Sequence, residues 1–94
     1  MLSRNPVDLG KLNEKELNQE ILRLGMIAEL DAVSFYEQLA TKTSDPKIKK
    51  LLVDILREEK THIGEFQELL KRADPEYAAE LKKGEQEVAK LGGK

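Results

Sequence analysis

The stretch from Leu52 to Phe66, LVDILREEKTHIGEF, decides the fold, and the stretch from Leu22 to Tyr36, LRLGMIAELDAVSFY, follows the same pattern. Each stretch places one glutamate, Glu59 or Glu29, in the middle of an apolar helical stripe. Residues three, four and seven positions away share the face of that glutamate, because a helix turns about 100° per residue. These neighbours are Leu22, Gly25, Met26, Ala32, Val33 and Tyr36 around Glu29, and Leu52, Ile55, Leu56, His62, Ile63 and Phe66 around Glu59. The sequence therefore predicts two amphipathic helices, each with an acid on its apolar face.

An acid on an apolar face needs a partner, because a buried and unpaired carboxylate is too costly to keep charged. His62, the only histidine of the chain, follows Glu59 by one turn in a Glu59-x-x-His62 pattern. At this spacing both side chains project from one face, whereas Glu58 points about 100° away. Two acids and an imidazole that converge in a helical core predict a metal site, with Glu29, Glu59 and His62 as its ligands.

The composition limits the class of protein and the kind of metal site. A chain of 94 residues is a single domain with a modest core, so association with another copy is expected. The net charge of −2 comes from mixed charges without a basic stripe, which argues against nucleic acid as a partner. No apolar run reaches the roughly 20 residues of a membrane span, and no signal peptide is apparent, so we expect a soluble, intracellular protein. The chain has no cysteine, so any metal must be held by oxygen and imidazole.

Capping residues and prolines divide the chain into three helices. Asn13 and Glu16 approximate a capping box, and the pairs Asp45-Pro46 and Asp74-Pro75 each combine an N-cap with a proline at the first helical position. The expected elements are an extended leader over residues 1–12, helices over about 13–42, 46–72 and 75–91, and a flexible tail over 92–94. With no strand-like alternation, the fold class is all-α, and the short connection predicts that the two long helices run antiparallel.

Gly25 interrupts the first long helix on the stripe that carries Glu29. A glycine there costs about 1 kcal/mol in helix propensity, but it permits close approach by another helix or a ligand. The position therefore indicates a packing or site role.

The ligand set predicts that the functional unit is a dimer. Carboxylate-bundle proteins hold two metal ions with one Glu from each of two helices and a Glu-x-x-His from each of the other two. This chain has one helix of each kind, so a two-fold dimer would complete a ferritin-like four-helix bundle with the metals at its interface. Carboxylates with one imidazole per ion suit iron, with manganese, zinc or calcium as substitutes.

The pattern Glu29-(x6)-Tyr36 followed by Glu59-x-x-His62, on two long helices and a short third, resembles the encapsulated ferritins over nearly the whole chain. The resemblance implies a ferroxidase that oxidises Fe(II) to Fe(III) at a di-iron centre between two subunits. It also implies a decameric ring of dimers inside an encapsulin shell in the cytoplasm, where the iron is mineralised and stored. A shell-targeting peptide often follows the third helix in this family, whereas this chain ends at Gly-Gly-Lys, as expected of a shortened chain or of a domain fused to its shell.

The resemblance also implies a role for individual residues. Carried over by position, Glu29 is a terminal ligand, Glu59 a bridging ligand, His62 the nitrogen ligand and Tyr36 a nearby phenol. Asp31 falls where the family places a further acid that helps to admit metal, although helix geometry puts it opposite Glu29 and equally favours a solvated surface acid. Ala28 stands where the family commonly has another acid, which argues against a secondary iron-attracting site.

Two alternatives stay open at this point. In the first, Glu29, Glu59 and His62 form a metal-free buried polar network that fixes how two copies of a helical oligomerisation module pair. In the second, the chain is a peroxide-reducing, rubrerythrin-like protein with the same ligands, but such proteins usually need rubredoxin-type cysteines, which this chain lacks.

Overall fold

The computed structural model describes residues 8–93. Three α-helices follow one another in this part of the chain: α1 (Glu14–Lys42), α2 (Pro46–Ala73) and α3 (Pro75–Ala89). Short 3-10 segments lie before and after them, at Leu9–Lys11 and Leu91–Gly93. Residues 8–93 contain no strand, and the predicted all-α fold class is confirmed.

Side-chain caps begin each of the three helices. The Asn13 side chain accepts a hydrogen bond from the backbone N–H of Glu16 at 2.8 Å, and the Glu16 carboxylate accepts one in return from the Asn13 N–H at 3.2 Å. Asp45 accepts from the N–H of Lys47 at 2.8 Å, and Asp74 accepts from the N–H of Tyr77 at 3.1 Å. These bonds satisfy donors that the first turn of a helix leaves without partners.

The first two helices form an antiparallel hairpin around a small core. The Gln19 side chain, near the start of α1, donates a hydrogen bond of 3.0 Å to the carbonyl of Ala73 at the end of α2. Closer to the middle, the Phe66 ring lies directly against the backbone of Gly25. Ala40 and Leu70 are the buried residues between positions 8 and 92. The hairpin therefore closes tightly along one seam and leaves the rest of its apolar side chains accessible.

Two expectations about the chain ends need correction. The leader was expected to be extended, but Leu9–Lys11 form a 3-10 turn, in which the Asp8 side chain accepts from the N–H of Gly10 at 3.0 Å. The third helix was expected to continue through Leu91, but it ends at Ala89, and Gly92 adopts a left-handed conformation with a φ of 62° in the segment predicted to be a flexible tail. Glycine has no Cβ to oppose that conformation, and so it ends a helix readily. Residues 1–7 and Lys94 lie outside the described residues.

Many large apolar side chains remain exposed on this hairpin. They are Ile21, Ile27, Leu30, Phe35, Leu39, Ile48, Leu51, Leu69, Val88 and Leu91. A small soluble domain gains most of its stability by removing such groups from water, and contiguous exposed apolar surface marks an interaction site. Among the described residues, no helix has the length and apolar content required to cross a membrane.

Candidate metal centre

Glu29, Glu59 and His62 meet across the seam between α1 and α2. One carboxylate oxygen from each glutamate and one ring nitrogen of the histidine all lie within 4.8 Å of one another. The His62 Nδ1 is 3.4 Å from the Glu29 Oε2 and 3.8 Å from the Glu59 Oε2. We call these three residues the Glu–Glu–His cluster. The structure thus brings together the three side chains that the sequence pattern singled out as ligands.

The close contact between Gly25 and Phe66 positions the cluster. Gly25 precedes Glu29 by one turn on α1, and Phe66 follows His62 by one turn on α2. This tight contact between the two helices therefore lies one turn away from the cluster on both of them. The Phe66 ring packs directly on the backbone of Gly25, so α1 and α2 lie close together at this point. Glu29 and His62 can therefore reach each other between the two helices.

The cluster is partly open to solvent in the single chain. The side chains of Glu29 and Glu59 are 21% and 18% exposed, and that of His62 is 44% exposed. The groove outside the cluster has a volume of about 320 Å³ and is lined by Glu29, His62, Glu65, Phe66 and Leu69. One hairpin covers the cluster from one side only, so the enclosure expected of a helical core is not completed within a single chain.

The donor set fits a divalent cation. Two carboxylates carry charge enough to balance such an ion, and oxygen with imidazole nitrogen suits iron, manganese or zinc. Ligand atoms that bind one ion at about 2.1 Å lie at most about 4.2 Å apart. The cluster spans at most 4.8 Å, so small side-chain rotations would bring all three atoms into ligand range. Three ligands from one chain would be too few for two ions, so a two-ion centre would need further ligands from outside this chain.

The other residues singled out from the sequence lie outside the cluster. Tyr36 is half-buried on α1, and its ring packs edge-on against Phe35 with the ring centres 5.5 Å apart. Asp31 is also half-buried, with one carboxylate oxygen shielded from solvent, which differs from a fully solvated surface acid. Glu58 is exposed and contributes no atom to the cluster, in line with the 100° offset from Glu59.

Two groove residues were not identified from the sequence. Glu65 extends the three-residue spacing of Glu59 and His62 by one further step, and Leu69 lies one turn beyond it. This three-residue spacing was the one feature of the sequence that could have indicated Glu65 as a groove residue. Because an exposed acid on a helix is most often just solvated, that signal was weak before the groove was visible.

An all-α chain with two long helices that carry carboxylates and a histidine at one seam belongs to the class of ferritin-like helical proteins. More narrowly, this chain belongs to the EncFtn-like family, whose family model matches residues 6–85. The predicted resemblance to encapsulated ferritins is thereby confirmed.

The chain is similar to several known proteins. It is 50% identical, over 99% of its length, to a ferritin-like-encapsulin shell fusion protein of Pyrococcus furiosus. It is 31% identical, over 79% of its length, to an encapsulated ferritin-like protein of Rhodospirillum rubrum, and 39% identical, over 77%, to the encapsulin nanocompartment cargo protein EncC of Myxococcus xanthus. It spans 28% of the first of these relatives, 53% of the second and 55% of the third.

A solved structure matches the whole fold. The crystal structure of the encapsulated ferritin domain from Pyrococcus furiosus superposes with a TM-score of 0.85 at 49% sequence identity. The match covers 100% of this chain and 98% of that one. The three-helix arrangement is therefore the fold of an encapsulated ferritin domain.

Proposed function

We propose that two copies of this chain form a ferroxidase that oxidises Fe(II) to Fe(III) at a di-iron centre on their shared interface. The observation that carries the proposal is the Glu–Glu–His cluster, assembled from two helices on a face that one chain leaves open. A two-fold axis through that face would bring together four glutamates and two histidines, which is the ligand set of di-iron carboxylate bundles. Within this proposal Glu29 would hold one ion as a terminal ligand, Glu59 would be the bridging ligand, and His62 would supply the nitrogen.

The apolar surface of the hairpin supports dimerisation at the cluster. Leu69 lines the groove next to Glu29 and His62, and 53% of its surface is exposed. A second copy laid over this groove would remove Leu69 and the cluster from water together. Burying apolar area contributes about 25 cal/mol per Å², so covering this face supplies a driving force for pairing.

A second exposed apolar surface supports further assembly of the dimers. Ile27 and Leu30 lie with Tyr77 in a different groove, which the Glu–Glu–His cluster does not enter. Dimers that pair through the cluster would keep this second groove available, as a ring of dimers requires. We propose that the dimers assemble through this surface into a decameric ring.

The expected chemistry follows from the ligands. Two Fe(II) ions lose one electron each, and one dioxygen molecule takes both electrons with two protons and leaves as hydrogen peroxide. The carboxylates favour the more highly charged Fe(III) product, because hard oxygen ligands bind it more strongly in a site of low dielectric. Manganese, zinc or calcium would occupy the same ligands in place of iron, and Asp31 and Tyr36 are proposed to assist metal admission and to flank the site.

The names of the relatives support a location for this activity. One is a fusion with an encapsulin shell, and another is an encapsulin nanocompartment cargo protein. We propose that this chain also works inside an encapsulin shell in the cytoplasm, where the iron it oxidises is mineralised and stored.

Native mass spectrometry with and without Fe(II) tests the shared centre directly. We expect an even-numbered assembly that tightens with iron and carries two ions per pair of chains. Oxygen uptake during Fe(II) oxidation should fall to background in Glu59→Gln, which keeps the shape of the side chain but removes its charge.

The neighbouring acid provides the matched control for that experiment. Glu58→Gln makes the same chemical change one residue earlier, at an exposed position outside the cluster. It should oxidise iron at the rate of the unmodified protein. An oligomer that binds no iron, or a Glu59→Gln protein that keeps full activity, would contradict the ferroxidase proposal.

One contact favours the metal-free interaction module as a second candidate. The His62 Nδ1 lies within hydrogen-bond distance of the Glu29 Oε2, at 3.4 Å. If this contact only fixes how two copies pair, Glu29→Gln and Glu59→Gln should change the oligomeric state. Added Fe(II) should then leave the oligomeric state of both variants unchanged.

A further inference from the structure

Glu65 is an acid whose position in the groove is not explained by the three ligands. It follows His62 by three residues on α2, so both side chains lie on the same side of the helix. Both also line the 320 Å³ groove outside the cluster. Glu65 is exposed, and no lysine or arginine between positions 8 and 93 forms an ion pair with it.

The two nitrogens of the His62 ring have different surroundings. Nδ1 faces both glutamates of the cluster, at 3.4 Å and 3.8 Å, and is therefore the nitrogen placed to bind a metal. A neutral imidazole that binds metal through Nδ1 carries its proton on Nε2. Histidines that ligate metals almost always donate this second N–H to a carboxylate, a backbone carbonyl or water, which fixes the orientation of the ring.

Among the groove residues, Glu65 is the acceptor left for the Nε2 proton of His62. Glu29 already lies next to Nδ1, and the side chains of Phe66 and Leu69 have no acceptor atom. The helical carbonyls around His62 are engaged in the helix itself. When a second copy covers the groove and displaces water, Glu65 is the remaining carboxylate of this chain on the same surface.

We propose that Glu65 is a positioning residue that accepts a hydrogen bond from the Nε2–H of His62 and so holds Nδ1 toward Glu29 and Glu59. The inference rests on the proposed function, because the ring needs this orientation to bind metal. The single chain has no hydrogen bond between these two side chains among its described residues, and the bond forms when the groove is closed by a second copy.

Zn(II) is a suitable probe, since it binds the same donors, is diamagnetic and undergoes no oxidation. His62 is the only histidine, so protein labelled with ¹⁵N-histidine gives the NMR signals of one ring. We expect Zn(II) to bind at Nδ1 and the Nε2 proton to be hydrogen-bonded. Zn(II) affinity, measured by calorimetry, should fall about 10-fold to 100-fold in Glu65→Ala.

Two further variants separate hydrogen bonding from charge and from general damage. Glu65→Gln keeps an acceptor oxygen without the charge, so it should bind Zn(II) more tightly than Glu65→Ala. Glu68→Ala removes an exposed acid from the same helix, outside the groove, and should leave both the affinity and the NMR signals unchanged. Circular dichroism of each variant verifies that the helices form.

Three results would overturn the proposal: Zn(II) bound at Nε2, unchanged affinity in Glu65→Ala, or equal affinities in Glu65→Ala and Glu65→Gln. These results differ from failure of the proposed function. In that case the unmodified protein itself would bind neither Zn(II) nor Fe(II).

Discussion

The ring of Phe66 occupies the space that a side chain at position 25 would need. A Cβ placed on Gly25 would lie 2.5 Å, 2.7 Å and 2.8 Å from three carbons of that ring, well inside van der Waals contact. This contact is one turn from Glu29 on α1 and one turn from His62 on α2. The absent side chain at position 25 thus allows the helix separation at which the cluster forms.

The substitution Gly25→Ala should therefore destabilise the protein and weaken its metal site together. Alanine improves helix propensity by about 1 kcal/mol, but overpacking of a tight contact costs about 1 to 3 kcal/mol. We expect a net loss of free energy of unfolding, measured by urea denaturation at fixed protein concentration. Zn(II) affinity should fall as well, because Phe66 is displaced toward the groove that it lines.

Gly64→Ala is the matched control for that substitution. Gly64 also lies within a helix, but a Cβ there meets no atom within 4 Å. Alanine at this position should raise the free energy of unfolding by about 0.5 to 1 kcal/mol and leave metal binding unchanged. If Gly25→Ala stabilised the protein to the same extent, the ring would be free to move and the contact would not set the helix separation.

The sequence predicts those features of the fold that depend on neighbouring residues. Capping chemistry predicts where the three helices start, with N-caps at Asn13, Asp45 and Asp74. Helical spacing predicts that Glu59 and His62 meet. Whether an apolar stripe is covered depends on tertiary and quaternary contacts, which spacing does not encode. For that reason the open groove and its acid Glu65 became apparent only in the structure.

Asp74 serves both helices that meet at its position. Its backbone N–H donates to the carbonyl of Leu70 at the end of α2, and its carboxylate accepts from the N–H of Tyr77 at the start of α3. Asp74→Ala removes only the second bond, so it should lower the free energy of unfolding by about 1 kcal/mol. Asp74→Asn retains a capping oxygen and should cost much less. Chemical denaturation of the two variants tests this, and equal losses would contradict a capping role.

Leu69→Glu should separate the proposed dimer. The new charge would lie in the groove beside His62, where the second copy is expected to bury an apolar side chain. Analytical ultracentrifugation should then detect smaller assemblies than the unmodified protein forms, and the two-ion stoichiometry should be lost. Val88→Glu introduces the same charge at an exposed position of α3, which contributes nothing to the cluster, and it should leave the dimer intact. A Leu69→Glu protein that keeps both its full assembly size and two ions per pair of chains would place the interface on another face.

The effect of Glu59→Gln on stability should depend on whether metal is present. Without metal, two carboxylates within 4.8 Å of one another repel, so neutralising one should leave the free energy of unfolding unchanged or raise it by about 1 kcal/mol.

Metal at 100 times its dissociation constant should stabilise the unmodified protein by about 2.7 kcal/mol, because only the folded state assembles the ligands. The variant should gain little of this stabilisation, whereas Glu58→Gln should gain all of it. Urea denaturation with Zn(II) or a chelator, at one fixed protein concentration, measures the free energy of unfolding of all three proteins with and without metal. Equal stabilisation of Glu59→Gln and Glu58→Gln by metal would mean that the ion binds away from the cluster.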